Sequence, residues 1–235
     1  MNQPSTDPVQ ELKRLVSDGI STDIYLAHEA HGIFRAIGER VPNANASTYQ
    51  PMLAVLQTYA SAEFVLAVTR LLERQRETYE LHSVHGVLMF LRDNSPNIPV
   101  EQPQWVQQSM ERLGLWECVP HESGPEQTRA VVDALLSKLP HYTNSEPLKA
   151  LKNLRDKRIA HPERVTPEGI PTTSWAKALK LLEIPVEALG VCGAYTSTAY
   201  VDDKGQFMMD TDAARAGNAT RRLLEATATP TPRRP

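Results

Sequence analysis

One stretch constrains the fold more than any other. Residues 52–73, MLAVLQTYASAEFVLAVTRLLE, are apolar on nearly every side when wound as a helix. A surface helix shows one apolar stripe, so a helix of this kind belongs in the middle of a bundle. Before the terminal Glu73 its two charges, Glu63 and Arg70, are opposite in sign and lie seven residues apart. Two helical turns separate them, and each should find a polar partner inside the bundle. The rest of the chain supplies amphipathic neighbours. Ile20, Ile24, Ala27, His31, Phe34, Ile37 and Val41 keep helical spacing up to Pro42. So do Leu81, Val84, Leu88 and Leu91, then Trp105, Met110 and Leu113, then Thr128, Val131, Val132, Leu135 and Leu139 before Pro140. Trp175, Leu179 and Leu182 resume the pattern until Pro185 breaks or restarts it, and Val186, Leu189 and Tyr200 carry the last apolar helix. No run alternates with period two and no internal repeat stands out. The expected fold is all-α, an antiparallel multi-helix bundle of about six to nine helices.

Asp7-Pro8 reads as a helix start, with proline at the first helical position, and Gly19 can interrupt the short run that follows. Pro51 opens the apolar helix. The segment VDDKGQF, residues 201–207, reads as a turn that two short extended pieces can flank, and Asp212 caps a final, poorly amphipathic helix to about Glu225. These assignments predict one helical domain over residues 1–228 and a disordered tail at 229–235.

A formal charge of −3 argues against a surface that grips nucleic acid all over, so any phosphate site must be local. Cys118 and Cys192 stand far apart with no C-x-x-C neighbour, which points to neither a disulfide framework nor a thiolate metal site. MNQPSTDPVQ has no basic or apolar targeting region, and no uninterrupted apolar run reaches about 18 residues. The expectation is a soluble, cytoplasmic protein with no membrane partner.

The chemistry concentrates in residues 148–161, LKALKNLRDKRIAH. On a helix, Leu148, Leu151, Leu154 and Ile159 share one sector, while Lys149, Lys152, Asn153, Asp156 and Lys157 share the other. Arg155 and Arg158 point into the apolar sector, and His161 continues their i, i+3 row. Ser145-Glu146-Pro147 starts this helix, and Pro162 makes His161 close it. Cations near a helix C-terminus are ordinarily explained by the helix dipole. That accounts for Lys157 but not for an arginine at the centre of an apolar sector, which needs a partner, a cleft or an interface. A histidine and an arginine fork suit phosphodiester cleavage. The imidazole can take a proton from a ribose 2′-hydroxyl or give one to the leaving 5′-oxygen, and the guanidinium can stabilise charge on the phosphate oxygens, with no metal or other cofactor. One histidine cannot easily serve both sides of the phosphorus, whereas a two-fold dimer brings a second one into the cleft. Two other pairs, His28 with His31 and His82 with His85, have one-turn spacing that a metal can use. Neither has a third carboxylate ligand beside it, HEAH is one residue short of the zinc-protease spacing, and packing or helix-end hydrogen bonding explains both.

The motif RDKRIAH, Arg155-Asp156-x-x-x-x-His161, resembles the R-x(4–6)-H motif of the HEPN superfamily, in which a polar residue commonly follows the arginine. LRDKRIAHPE, together with LAVTRLLE and ELHSVHGVLMFLRD upstream, is similar to the abortive-infection U-type branch of bacterial HEPN proteins, and the order of helices fits across most of residues 10–225. The resemblance implies a helical bundle, a homodimer with a composite cleft, and a metal-independent endoribonuclease used against phage or as the toxin of a toxin–antitoxin pair. Arg155 and His161 are then the catalytic pair, Asp156 orients them, Arg158 binds phosphate, RNA is the substrate and an antitoxin protein is a further partner. Some HEPN toxins carry a tyrosine two residues after the histidine, where an antitoxin modifies it; Glu163 stands there instead, which speaks against that control. The alternative implied by the same likeness is a non-catalytic module that binds RNA, a nucleotide or a protein partner through the cleft.

Overall fold

The structure, a computed structural model, describes residues 7–40, 46–74, 82–120, 122–160 and 173–227, with the side chains of 40, 46–48, 158–160 and 227 excepted. It is all-α. The helices are α1 (Pro8–Leu15), α2 (Thr22–Arg40), α3 (Ala46–Leu71), α4 (Val84–Asp93), α5 (Pro103–Arg112), α6 (Pro125–Thr143), α7 (Glu146–Leu154), α8 (Trp175–Leu179), α9 (Glu183–Thr196) and α10 (Asp210–Thr227). Their starts are written in local chemistry. The Asp7 side chain accepts from the Val9 N–H with Pro8 behind it, Ser83 accepts from Gly86, and Ser145 from Leu148, each satisfying an N–H that has no partner within the helix.

Four boundaries differ from expectation. Gly19 does not interrupt the first helix, because a π-helical turn, Val16–Ser21, carries the backbone from α1 into α2. Proline opens neither α3 nor closes α6: Pro51 and Pro140 lie inside those helices. Proline gives up its N–H but keeps its carbonyl, and the Pro140 oxygen still accepts from the Asn144 N–H at 3.0 Å. Tyr200 falls outside α9, which Ser197 ends in the left-handed conformation at φ 50°. The following turn forms as expected, with Val201 bridged antiparallel to Phe207, Gly205 at φ 79°, and the Asp202 carboxylate accepting from the Lys204 and Gln206 N–H groups.

Helices α2 and α3 run antiparallel, so that Asp23 near the start of one meets Arg70 near the end of the other. Helices α5 and α9 are antiparallel too, joined by Arg112–Glu187 at one end and by the Ala194 carbonyl, which accepts from the Glu101 and Gln102 N–H groups, at the other. Helix α10 differs: its contacts with α2 advance together along both chains, from His28–Asp210 through Gly32–Gly217 to Glu39–Arg221, so the two lie parallel. The backbones touch at Gly32 and Gly217, where an added Cβ on Gly217 would stand 2.8 Å from the Gly32 carbonyl.

One large core unites α1, the first half of α2, the second half of α3, and α4, α5, α6, α7 and α9 around Leu12, Ile24, Phe64, Leu88, Met110, Leu135, Leu148 and Leu189. A separate patch of three buried residues, Ile37, Leu53 and Leu224, with Ile33 packed against it, lies between the far ends of α2, α3 and α10. The expectation that α3 is enclosed throughout is therefore half right. From Phe64 to Leu72 it is core, but Tyr49, Met52, Val55, Leu56 and Tyr59 are exposed, because among the described residues α2 and Leu224 of α10 pack on the other side of that half. By length and mean hydropathy, Tyr49–Leu71 is long and apolar enough to cross a membrane, yet its second half is committed to the core of the bundle.

Candidate functional site

Helix α7 delivers the first half of the predicted motif. Ser145 caps it, Pro147 sits in its first turn, and Leu148, Ala150 and Leu151 are buried, while Lys149 and Asp156 are exposed. The amphipathic division read from the sequence holds to Leu154. At Arg155 the helix widens into a second π-helical turn, Arg155–Ala160. Hydrogen bonds to i+5 replace the α pattern there. The Arg158 side chain and His161 lie outside the described residues, as do Leu81, Glu163 and the tail.

Arg155 has the polar partner that an arginine on an apolar face requires. Its side chain is 23 % exposed and leans to the end of α3, where Nη1 donates to Glu73 Oε2 at 3.4 Å, while Nε donates to Asp156 Oδ1 at 2.8 Å. Burial works against the guanidinium charge, but the hydrogen bond and charge of Asp156 and then those of Glu73 outweigh it and raise its pKa. Asp156 therefore does hold the arginine. Glu73 was not foreseen, because 82 residues separate it from Arg155 and nothing local marks it. Arg155 Nη2 makes no hydrogen bond among the described residues, which leaves donors for an anion.

The Glu63–Arg70 expectation is met with an addition. Arg70 Nη2 lies 3.3 Å from Glu63 and 2.6 Å from Asp23, and Asp23 is the buried member at 8 % exposure. Burial raises the Asp23 pKa, and the Arg70 hydrogen bonds pull against it. The histidine pairs part company. His28 Nδ1 donates to Asp210 at 2.9 Å, His31 packs against Trp175 with ring centroids 5.3 Å apart, and His82 packs on Gly19. Burial lowers the pKa of His28, His31 and His85, with Asp210 opposing it at His28. Among the described residues no three His, Cys, Asp or Glu side chains come together in a metal-holding group. Burial pushes the Cys192 thiol up to about 12, so it is a core residue, while Cys118 is exposed and free.

Two cavities flank this region without reaching Arg155. One of about 180 Å³ lies beneath α7, lined by Phe34, Phe64, Leu151, Leu154 and Trp175 with Ser61 and Thr173 as its polar members. The other, about 560 Å³, has His28, His31, Arg112, Glu183, Glu187 and Asp210 in its wall. Its cations are answered from within: Glu187, 7 % exposed, takes Arg112 through both oxygens at 2.7 and 2.9 Å, and Asp210 takes His28. The sequence carried a signal for Glu187, a carboxylate inside the apolar run IPVEALGV, of the same kind that marked Glu63 and Arg70.

No protein-family model matches the chain, and no curated protein or solved structure matches it.

Proposed function

We propose that this chain is a metal-independent endoribonuclease of the HEPN kind that its motif resembles, acting in the bacterial cytoplasm in phage defence or as the toxin of a toxin–antitoxin pair. The observation that carries the reading is the Asp156–Arg155 contact. A guanidinium fixed at Nε by the next residue's carboxylate, with Nη2 making no hydrogen bond among the described residues, is arranged to receive a phosphate. In this reading His161, six residues on, exchanges the proton. A base removes the proton of the 2′-hydroxyl, the 2′-oxygen attacks phosphorus, and the 5′-oxygen leaves with a proton supplied by an acid. Arg155 stabilises the charge that builds on the phosphate oxygens. Arg158 supplies a further phosphate contact, Asp156 is a positioning residue, and a second copy of the chain brings the other histidine.

One observation favours the second reading, a binding module without turnover. Glu73 lies against Arg155 and competes with a phosphate for it. Incubating the purified protein with a structured RNA in EDTA separates the two. Fragments ending in a 2′,3′-cyclic phosphate support the ribonuclease, and intact RNA that is nonetheless retained by the protein supports the module.

A further inference from the structure

The larger cavity, about 560 Å³, is built by four helices from different parts of the chain: His28 and His31 come from α2, Arg112 from the end of α5, Glu183 and Glu187 from the start of α9, and Asp210 opens α10. Its volume falls in the range of about 300–1,000 Å³ that small-molecule sites occupy. Leu179, Val186 and Phe207 supply apolar wall. The charged groups are fixed across elements. Arg112 reaches from α5 to both oxygens of Glu187 on α9 at 2.7 and 2.9 Å, and His28 of α2 donates to Asp210 at 2.9 Å. Gly205 lets its turn close against Arg112, since a Cβ there would stand 2.6 Å from Arg112 Cδ. A wall preset in this way loses little freedom when a ligand enters.

The charges do not cancel. Three carboxylates stand in the wall against one guanidinium, and Glu187 already answers Arg112. The two histidines add no positive charge at neutral pH, because burial holds both below their ordinary value. Glu183 and Asp210 are therefore in surplus. Tyr142 donates to Glu183 at 3.3 Å and His28 to Asp210, but both donors are neutral, and among the described residues neither carboxylate has a cationic partner at neutral pH. His28 adds an unmet acceptor. With its Nδ1–H given to Asp210, Nε2 carries a lone pair, and that atom is buried with no hydrogen-bond partner.

We propose that this cavity is a binding site for a small organic cation, an ammonium or guanidinium group on an apolar body, with Glu183 and Asp210 receiving the charge and Leu179, Val186 and Phe207 the body. An anion would meet two uncompensated carboxylates. An uncharged apolar molecule would strip water from them and return no hydrogen bond. A bare metal ion does not fit, since among the described residues no three His, Cys, Asp or Glu side chains form a metal-holding group.

The inference does not rest on the ribonuclease reading, because Arg155 is not in this wall. Residues 161–172 lead to Thr173, on the wall of the other cavity, and residues 228–235 leave α10 about 26 Å along the helix from Asp210, so neither segment is anchored at this site.

The test is isothermal titration calorimetry of the full chain at neutral pH with tryptamine, and with indole-3-propionate as a probe of the same indole body and the opposite charge. Tryptamine is expected to bind one to one with a Kd of about 1 mM or tighter, and indole-3-propionate at least about tenfold more weakly. Glu183→Gln/Asp210→Asn keeps the shape of the wall and the oxygens that accept from Tyr142 and His28. In that variant tryptamine affinity is expected to fall at least about tenfold, the usual size for a lost charge-assisted hydrogen bond. Gln206→Lys, on the exposed turn in the wall, adds a cation there and is expected to weaken tryptamine as well; it decides the matter should the double variant lose its helical circular dichroism. No heat with tryptamine overturns the inference, which is also the result if residues outside the described ones fill the space. Equal affinity for the two probes, preference for indole-3-propionate, or tryptamine affinity unchanged in the folded double variant or in Gln206→Lys overturns it too.

Discussion

Replacing Gly217 with alanine tests the parallel crossing of α10 on α2. In an exposed helix interior this change stabilises by up to about 1 kcal/mol through helix propensity. Here the new Cβ would stand 2.8 Å from both the carbonyl carbon and oxygen of Gly32 and 3.0 Å from its Cα. These are backbone atoms and cannot turn aside, so the helices must separate by something under 1 Å, loosening Ala213 and Leu224 against α2 as well. Overpacking of this kind costs about 1–3 kcal/mol, and the propensity gain offsets part of it. We expect a net loss of roughly 1–2 kcal/mol for Gly217→Ala. The reciprocal change behaves differently. A Cβ on Gly32 would meet Gly217 Cα at 3.7 Å, an ordinary contact, so Gly32→Ala should be neutral or stabilising by about 0.5–1 kcal/mol. Urea unfolding followed by circular dichroism gives both values from the midpoint and slope. Equal effects at the two positions, or a Gly217→Ala protein as stable as wild type, would refute the crossing as described.

Glu187→Ala strips Arg112 of both its carboxylate oxygens and should cost about 2–3 kcal/mol, while Arg112→Met/Glu187→Leu recovers most of it, as a double-mutant cycle by urea unfolding would show. Acid sensitivity should follow the histidines. Burial holds His28, His31 and His85 below their ordinary value in the folded state. The unfolded chain therefore takes up protons first, and stability is full above about pH 6.5 and falls as pH drops through the window beneath it. His28→Gln should flatten that fall in the urea midpoint between neutral and mildly acid pH, and a wild-type midpoint that does not move would contradict the account.

How much of this the sequence shows depends on whether the cause is local. The caps at Asp7, Ser83 and Ser145, the all-helical class and the Asp202–Gly205 turn come from residues a few places apart and are legible. The need of Arg70 and Arg155 for partners is also legible, since an arginine beside an apolar face is costly unpaired. The identities Asp23 and Glu73 are not, because the fold alone brings them there. The two π-helical turns leave no mark in the apolar spacing. The enclosure of α3 fails for a related reason. Hydropathy tells that a helix needs cover and not whether its own chain provides it.

The central claim is that Arg155 and His161 cut RNA, and the most direct measurement compares wild type with Arg155→Ala, His161→Ala and Lys157→Ala on one RNA in EDTA, with thermal unfolding alongside. Loss of a general acid–base or of a transition-state donor lowers the rate by at least about a hundredfold. A helix-end side chain contributes only on the order of 1 kcal/mol to folding. The account therefore predicts that Arg155→Ala and His161→Ala remain folded and lose cleavage, and that Lys157→Ala retains it. Cleavage by His161→Ala at the wild-type rate, or a His161→Ala protein that is simply unfolded, would contradict the assignment.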